Sequence, residues 1–337
     1  MDLRGATEMA KAVVGSPPLD ADVAILVDWL ELVAFFSRRS VARLDEIDNA
    51  LTIQEEEDSF DDASADAERD ERRERIEGEI TERAESLGEA YPFFLSDDGE
   101  ELRLRPRGQR IGACFYLICL ILSHVTRSPI LEVTPGAGAI ALLRRRHFQA
   151  LSTMAVAGHV AGPAISFGWP RPGGVSIADA IARACALSGT GLVRSPPGPV
   201  ASRYVKDGGM DVIAWRPAVG GNPPPAEMCF GQAASGHGWP DKNAPDEVED
   251  FYESFYLDRP ACATVGVTII PFRLGPDDYA MHGRRHGSIL DRLRTPKAAL
   301  DGLRLACDDG VVVDEIERVP AMNLWLIRYR ELVRQAA

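Results

Sequence analysis

The residues of this chain most able to do chemistry together lie between Lys206 and Lys242. They run KDGGMDVIAWRP from Lys206, then a Pro/Gly-rich stretch, then EMCFGQAASGHGWPDK from Glu227 to Lys242. Asp211 stands where a glycine-rich turn enters an apolar strand, and Gly208 and Gly209 let the backbone turn tightly there. A carboxylate at the mouth of a buried strand is costly unless it is paired or holds a metal. Met228 to Ala233 reads as a second strand. If the two form a hairpin, Gln232 lies beside Asp211 at the same end of the sheet. A carboxylate and an amide oxygen meeting there are hard oxygen donors of the kind Mg2+ or Mn2+ takes, with Asp207 on the turn as a further acid. An amine from Lys206 or Lys242 would orient water or stabilise charge developing at a phosphoryl group.

An Asp, a hairpin, then Glu or Gln, one residue and Lys is the signature of the PD-(D/E)XK nuclease superfamily, and this segment resembles it. The DGGxDVIAW and FGQxxxGxxWxxK wording is similar to nuclease-like proteins of bacterial anti-phage and restriction loci. The resemblance implies a restriction-endonuclease-like α/β fold, a central mixed sheet flanked by helices, and metal-dependent hydrolysis of DNA in defence. It makes Asp211 the metal-binding acid and puts Gln232 at the Glu/Gln position, and it implies that an acid on a preceding helix completes the site. Two positions depart from the pattern. Ala234 stands where the motif lysine belongs, so Lys242 or Lys206 would supply the amine. The helix expected over Gly138 to His159 carries Gln149 and no carboxylate, while Glu132 precedes it. Those departures motivate a second reading: a nuclease-fold subunit without catalysis, serving as a DNA-binding or scaffolding component among protein partners of a defence complex.

Other residues have plainer explanations. His237 sits between glycines in a loop, where an acid/base or phosphate contact is open to it. Trp239 reads as a packing anchor. Pro135 to Ile140 (PGAGAI) lacks the spacing of a phosphate loop and reads as a helix start. Arg144, Arg145, Arg146 and His147 form a solvated helical face, or one turned to a phosphate backbone. Arg171, Arg292 and Arg294 are candidates for phosphate contact or for internal ion pairs.

The elements that must position these residues follow from periodicity. Within Ala21 to Ala50, apolar positions stand at helical spacing from Val23 to Phe36 and then fade into charge. Part of Gln54 to Leu87 pairs Glu with Arg at three or four residues, and the segment reads as an exposed or partly disordered helical arm, with an acidic arm that mimics DNA or docks a basic partner as the sharper alternative. Phe93 to Arg103 is a hairpin turning at Asp97-Asp98-Gly99. Ile111 to Val125 is a buried helix. Further helices are expected over Gly138 to His159, Ser176 to Ser188, Asp246 to Tyr256, Thr295 to Cys307 and Pro320 to Gln335. Strands are expected over Gly162 to Phe167, Asp211 to Arg216, Met228 to Ala233 and Ala263 to Phe272. The sum is a helical region over 1–90 followed by one α/β domain over 91–337.

Composition sets the outer bounds. In 337 residues, 51 acidic against 37 basic side chains give a net charge of −14, which disfavours indiscriminate coating of DNA but leaves room for a local basic patch. The six cysteines are scattered without a C-x-x-C pair, as buried thiols in a reducing compartment would be. No secretory signal is evident at the start, and the longest apolar run falls short of a bilayer span. The expected location is the cytoplasm, with no membrane partner.

Overall fold

The computed structural model describes residues 14–55, 62–106, 111–125, 130–132, 135–169, 171, 174–198 and 209–336. Lys206 and Asp207 therefore lie outside the described residues. The chain forms two compact units, one of residues 1–137 with 323–337, the other of residues 138–322. This division follows packing, whereas the boundary expected at residue 90 follows a change in composition.

In the first unit, α1 (Val23–Phe36) is capped by the Asp22 carboxylate, which accepts from the N–H of Ile25. The apolar helical periodicity of Val23 to Phe36 becomes α1, and the helix ends where that periodicity fades into charge. Ser40 takes a left-handed φ of 61°, β1 (Val41–Arg43) follows, and α2 (Asp45–Glu55) begins afterwards. The charged segment becomes α3 (Asp62–Leu87), and here the expectation of a solvated arm is corrected. Ile76, Ile80 and Leu87 are buried, as are Glu79 and Arg83 among the charges. The hairpin of β2 (Phe93–Leu95) and β3 (Glu101–Leu104) forms as expected, with Gly99 at φ 71°, and β3 also pairs with β1. The buried helix is α4 (Ile111–His124).

Arg83 is fully buried and serves three carboxylates. Nη1 lies 2.7 Å from Asp28 Oδ1 and 3.0 Å from Glu31 Oε1, and Nε lies 2.8 Å from Glu79 Oε1. Tyr91 and Tyr116 donate their hydroxyls to Glu31, and His124 Nε2 sits 2.8 Å from Asp28 Oδ2. Burial, reinforced by the Glu31 charge, holds the Tyr91 phenol well above its ordinary pKa.

The second unit opens with α5 (Ala137–Leu142), whose last turn widens into a π-helix over Leu143–His147 before α6 (Phe148–Val160). The single helix expected over Gly138 to His159 is thus interrupted. β4 (Ala164–Ser166), α7 (Ile177–Ser188, capped by Ser176) and β5 (Leu192–Val193) follow. Next come β6 (Val212–Arg216), β7 (Glu227–Ala233), α8 (Ala244–Phe255), β8 (Tyr256–Asp258) and β9 (Ala263–Ile269). The unit continues through α9 (Pro276–His286), β10 (Ser288–Leu290) and α10 (Thr295–Asp308), and α11 (Val319–Ala336) leads back to the first unit.

The central sheet has the order β10-β9-β7-β6-β4 and is mixed. β6 runs antiparallel to β4 and β7, while β7, β9 and β10 are parallel. Alternation along the strands assigns the two faces. Ile213, Trp215, Met228 and Phe230 pack with Ile181, Phe251 and Phe255 of α7 and α8. The other face meets α6, whose Val156 lies against Gly231. α6 is in turn covered by α10 through a glycine notch. A Cβ on Gly158 would strike the carbonyl of Ala298, and one on Gly302 the carbonyl of Met154. Among the described residues no helix is long and apolar enough to cross a membrane.

Candidate functional site

The expected hairpin places Asp211 at the mouth of β6, opposite the end of β7. Its backbone N–H donates to the Gly231 carbonyl at 2.8 Å, and its own carbonyl accepts from Phe167 and Gly168. The carboxylate works in two directions. Oδ2 accepts from the Ala233 N–H at 2.8 Å, while Oδ1 faces the space above Gly168. A Cβ on Gly168 would collide with that oxygen and with Gln149 Nε2, so glycine there lets both the α6 amide and the Asp211 carboxylate lie against the backbone.

Gln232 follows the strand alternation onto the α8 face. Its Nε2 donates to the Gly209 carbonyl at 2.6 Å and to Glu247 Oε2 at 2.8 Å. Two acceptors on one side fix the amide orientation, so the nitrogen rather than the oxygen is turned to Glu247. Oε1 is buried without a hydrogen-bond partner, as is Oγ1 of Thr268, its register partner on β9. Gly209 has φ 84°, and a Cβ there would run into the Glu247 carboxylate. Asp211 and Glu247 are thereby tied to consecutive residues, Ala233 and Gln232, at the end of β7.

On the α6 face the polar network runs further. Gln149 Nε2 donates to Ser166 Oγ at 3.3 Å, and Ser166 Oγ donates to Glu315 Oε1 at 3.4 Å. Glu315 is 3% exposed and holds a left-handed φ of 68°, a strained conformation for a residue with a side chain. Its other oxygen pairs with Arg318 and lies 3.8 Å from Arg146 on the π turn. Burial, then the positive charges of Arg318 and Arg146, push the neighbouring His147 imidazole down to about 4. Asp314 accepts from the Ser166 N–H and pairs with Arg183 at 2.7 Å.

The remaining candidates fall around this centre. Lys242 is exposed at the end of the 3-10 turn Trp239–Asp241, and its amine makes no ion pair or hydrogen bond among the described residues. Ala234, at the motif's lysine position, is packed among Trp239, Ile270, Leu274 and Ile289. A lysine there would have to bury its charge in an apolar cluster. Trp239 is the packing anchor expected, against His282 and His286, and His237 stacks on Phe272. Arg294 pairs with Asp291 and caps the Tyr279 ring, Arg292 is buried, and Arg171 donates to the Val175 carbonyl.

Mg2+ is usually held through one or two carboxylates, with water and substrate phosphate completing its shell. Asp211 Oδ1 and the Glu247 carboxylate are oxygen donors of that kind, and each packs directly against a glycine, Gly168 and Gly209 respectively. Among the described residues no three His, Cys, Asp or Glu side chains gather into a ready-made cage.

Sequence reading missed Glu247, Ser166 and Glu315. Glu247 looks like an acidic residue in the first turn of a helix, which the dipole alone explains. Glu315 follows an apolar run far along the chain, with nothing nearby to mark it. No protein-family model, curated protein or solved structure matches the chain.

Proposed function

We propose that the second unit is a restriction-endonuclease-like domain that hydrolyses phosphodiester bonds of DNA with Mg2+ or Mn2+, in a cytoplasmic defence setting. The observation that carries this reading is the Asp211 carboxylate. One of its oxygens is fixed by the Ala233 N–H and the other is presented beside Gln149 over a glycine, at the end of a mixed sheet with helices on both faces. Asp211 and Glu247 would hold the ion, which when bound supplies a Lewis acid for a phosphoryl oxygen and an acidified water. Gln232 positions Glu247 and the Gly209 turn. Lys242, whose amine has no partner among the described residues, is the cation available to meet developing negative charge.

The burial of Ala234 in an apolar cluster favours the second reading, a nuclease-fold subunit that binds DNA without cutting it. Supercoiled, linear and single-stranded DNA incubated with Mg2+, Mn2+ or EDTA separates the two. Divalent-dependent cutting that Asp211→Asn lowers at least about a hundredfold, with an unchanged melting temperature, is expected of the enzyme. Cutting that survives Asp211→Asn sinks the site. Silence under every condition favours the binding subunit.

A further inference from the structure

In this acidic protein the basic side chains of the second unit are mostly spoken for. Arg183, Arg216, Arg259, Arg294, Lys297, Arg304 and Arg318 each sit within 4 Å of a carboxylate. Among the described residues of this unit, the exposed cations without such a partner are Arg145, Lys242, Arg284 and Arg285, with half-buried Arg144 beside the first. Arg144 on the π turn makes no ion pair; its Nε donates to Ser235 Oγ at 3.3 Å, and its guanidinium lies 3.0 Å from where a Cβ on Gly236 would sit. Arg145 beside it is exposed and unpaired, and so is Lys242 at the far end of the same loop. Trp239, midway along that loop, packs on His282 and His286 of α9. The last turn of α9 adds Arg284 and Arg285, both exposed and without a carboxylate partner. The loop starts directly after Gln232 and Ala233, the residues that fix Glu247 and Asp211.

The loop carries one exposed carboxylate, Asp241, against these uncompensated cations, and in a chain of net −14 that surplus makes the edge locally basic. Each one lacks the internal carboxylate that would compete with an external anion. The π turn that carries Arg144 and Arg145 widens the helix where an unbroken α-helix was expected, a distortion frequent at functional positions.

We propose that the Ser235–Lys242 loop, flanked by Arg144 and Arg145 on one side and by Arg284 and Arg285 on the other, is the surface that grips the phosphate backbone of DNA. This rests on the nucleic-acid part of the proposed function and not on its chemistry. The loop glycines, 236 and 238, keep side chains from standing between the backbone and the phosphates, and the arginines supply paired donors to phosphate oxygens.

The test is fluorescence anisotropy with a short labelled DNA duplex and one of its single strands, in EDTA, over a range of salt. The variants are Arg144→Glu/Arg145→Glu and Arg284→Glu/Arg285→Glu, with Arg259→Glu as a control at a paired arginine. Wild-type affinity should fall linearly with salt on a log–log plot. Each double variant should weaken binding about tenfold or more and flatten the slope by about 2, since every phosphate left without its arginine takes roughly 0.9 off it. The control should bind as wild type does, and melting temperatures should agree. Double variants that bind like wild type, or a wild type that binds neither DNA, overturn the surface. Weakened binding by the variants of a wild type that never cuts leaves the surface standing and sinks the nuclease. Cutting with unaltered binding in both variants does the reverse.

Discussion

Glu315 shows how much one side chain is asked to do. Its backbone is held in a conformation that costs about 1–3 kcal/mol, its carboxylate is buried, and that carboxylate connects Arg318 and Arg146 to the Ser166–Gln149 line beside Asp211. Glu315→Gln keeps the shape but removes the charge that two arginines face. Because both arginines retain some solvent access, the expected loss is about 2 kcal/mol, below the full cost of breaking a sealed pair. Urea unfolding would read it. On the proposed nuclease activity, cutting by this variant should weaken as well if Gln149 is oriented through Ser166; unaltered stability would mean the arginines find other partners. Asp211 and Gln232 were legible from the sequence because a hairpin is local: two apolar runs, a Pro/Gly loop and glycines at the turn bring them together. Glu247 and Glu315 were not, because their partners depend on how α8 and the segment before α11 pack on the sheet. No pattern of neighbouring residues encodes that packing.

At the scale of elements, the long periodic segments were the readable ones. The buried helix α4, the amphipathic α10 and the β-branched strand β9 form close to where they were expected. Polar or interrupted elements were not readable. α9 reads PDDYAMHGRRH, with little apolar signal, and β10 is only three residues long. β1 depends on the left-handed turn at Ser40, and the π turn breaks a pattern that periodicity alone would continue. The solvated-arm expectation for α3 failed because Glu–Arg spacing describes an exposed face equally well as a helix whose arginine is sealed inside. α6 reaches the site with its position set from behind by the glycine notch with α10. Gly302→Ala puts a methyl group against the Met154 carbonyl, and since backbone cannot yield as a side chain can, the expected cost is about 2–3 kcal/mol. A lowered denaturation midpoint should come, on the proposed nuclease activity, with weaker DNA cutting, as Gln149 shifts along with α6. An unchanged midpoint would show that the helices part without penalty.

For the molecule as a whole, acid should be more damaging than its surplus of carboxylates suggests. His147 is kept neutral down to about 4 by burial and by Arg318 and Arg146, against an ordinary value of 6.5. Below 6.5 the unfolded chain takes up a proton that the folded chain refuses, so stability falls as pH drops from 6.5 to about 4. The loss is on the order of 3 kcal/mol over that window. His147→Leu should flatten this part of the stability–pH curve without changing its neutral plateau by as much. A curve that keeps its slope in the variant would place the acid sensitivity elsewhere.

The division of the chain also orders events during its synthesis. Residues 138–322 are contiguous, so the second unit is complete once they have emerged. The first unit starts before the second but lacks its last piece until residues 323–337 arrive. Arg330 of that final helix donates to Ser37 and Ser40 just past α1, and Tyr329 packs edge-on against Phe36. Of the two units, the one begun first is thus completed second. For most of translation α1 holds an apolar surface whose closing helix has not yet been made, which is the interval in which this chain is most exposed to aggregation.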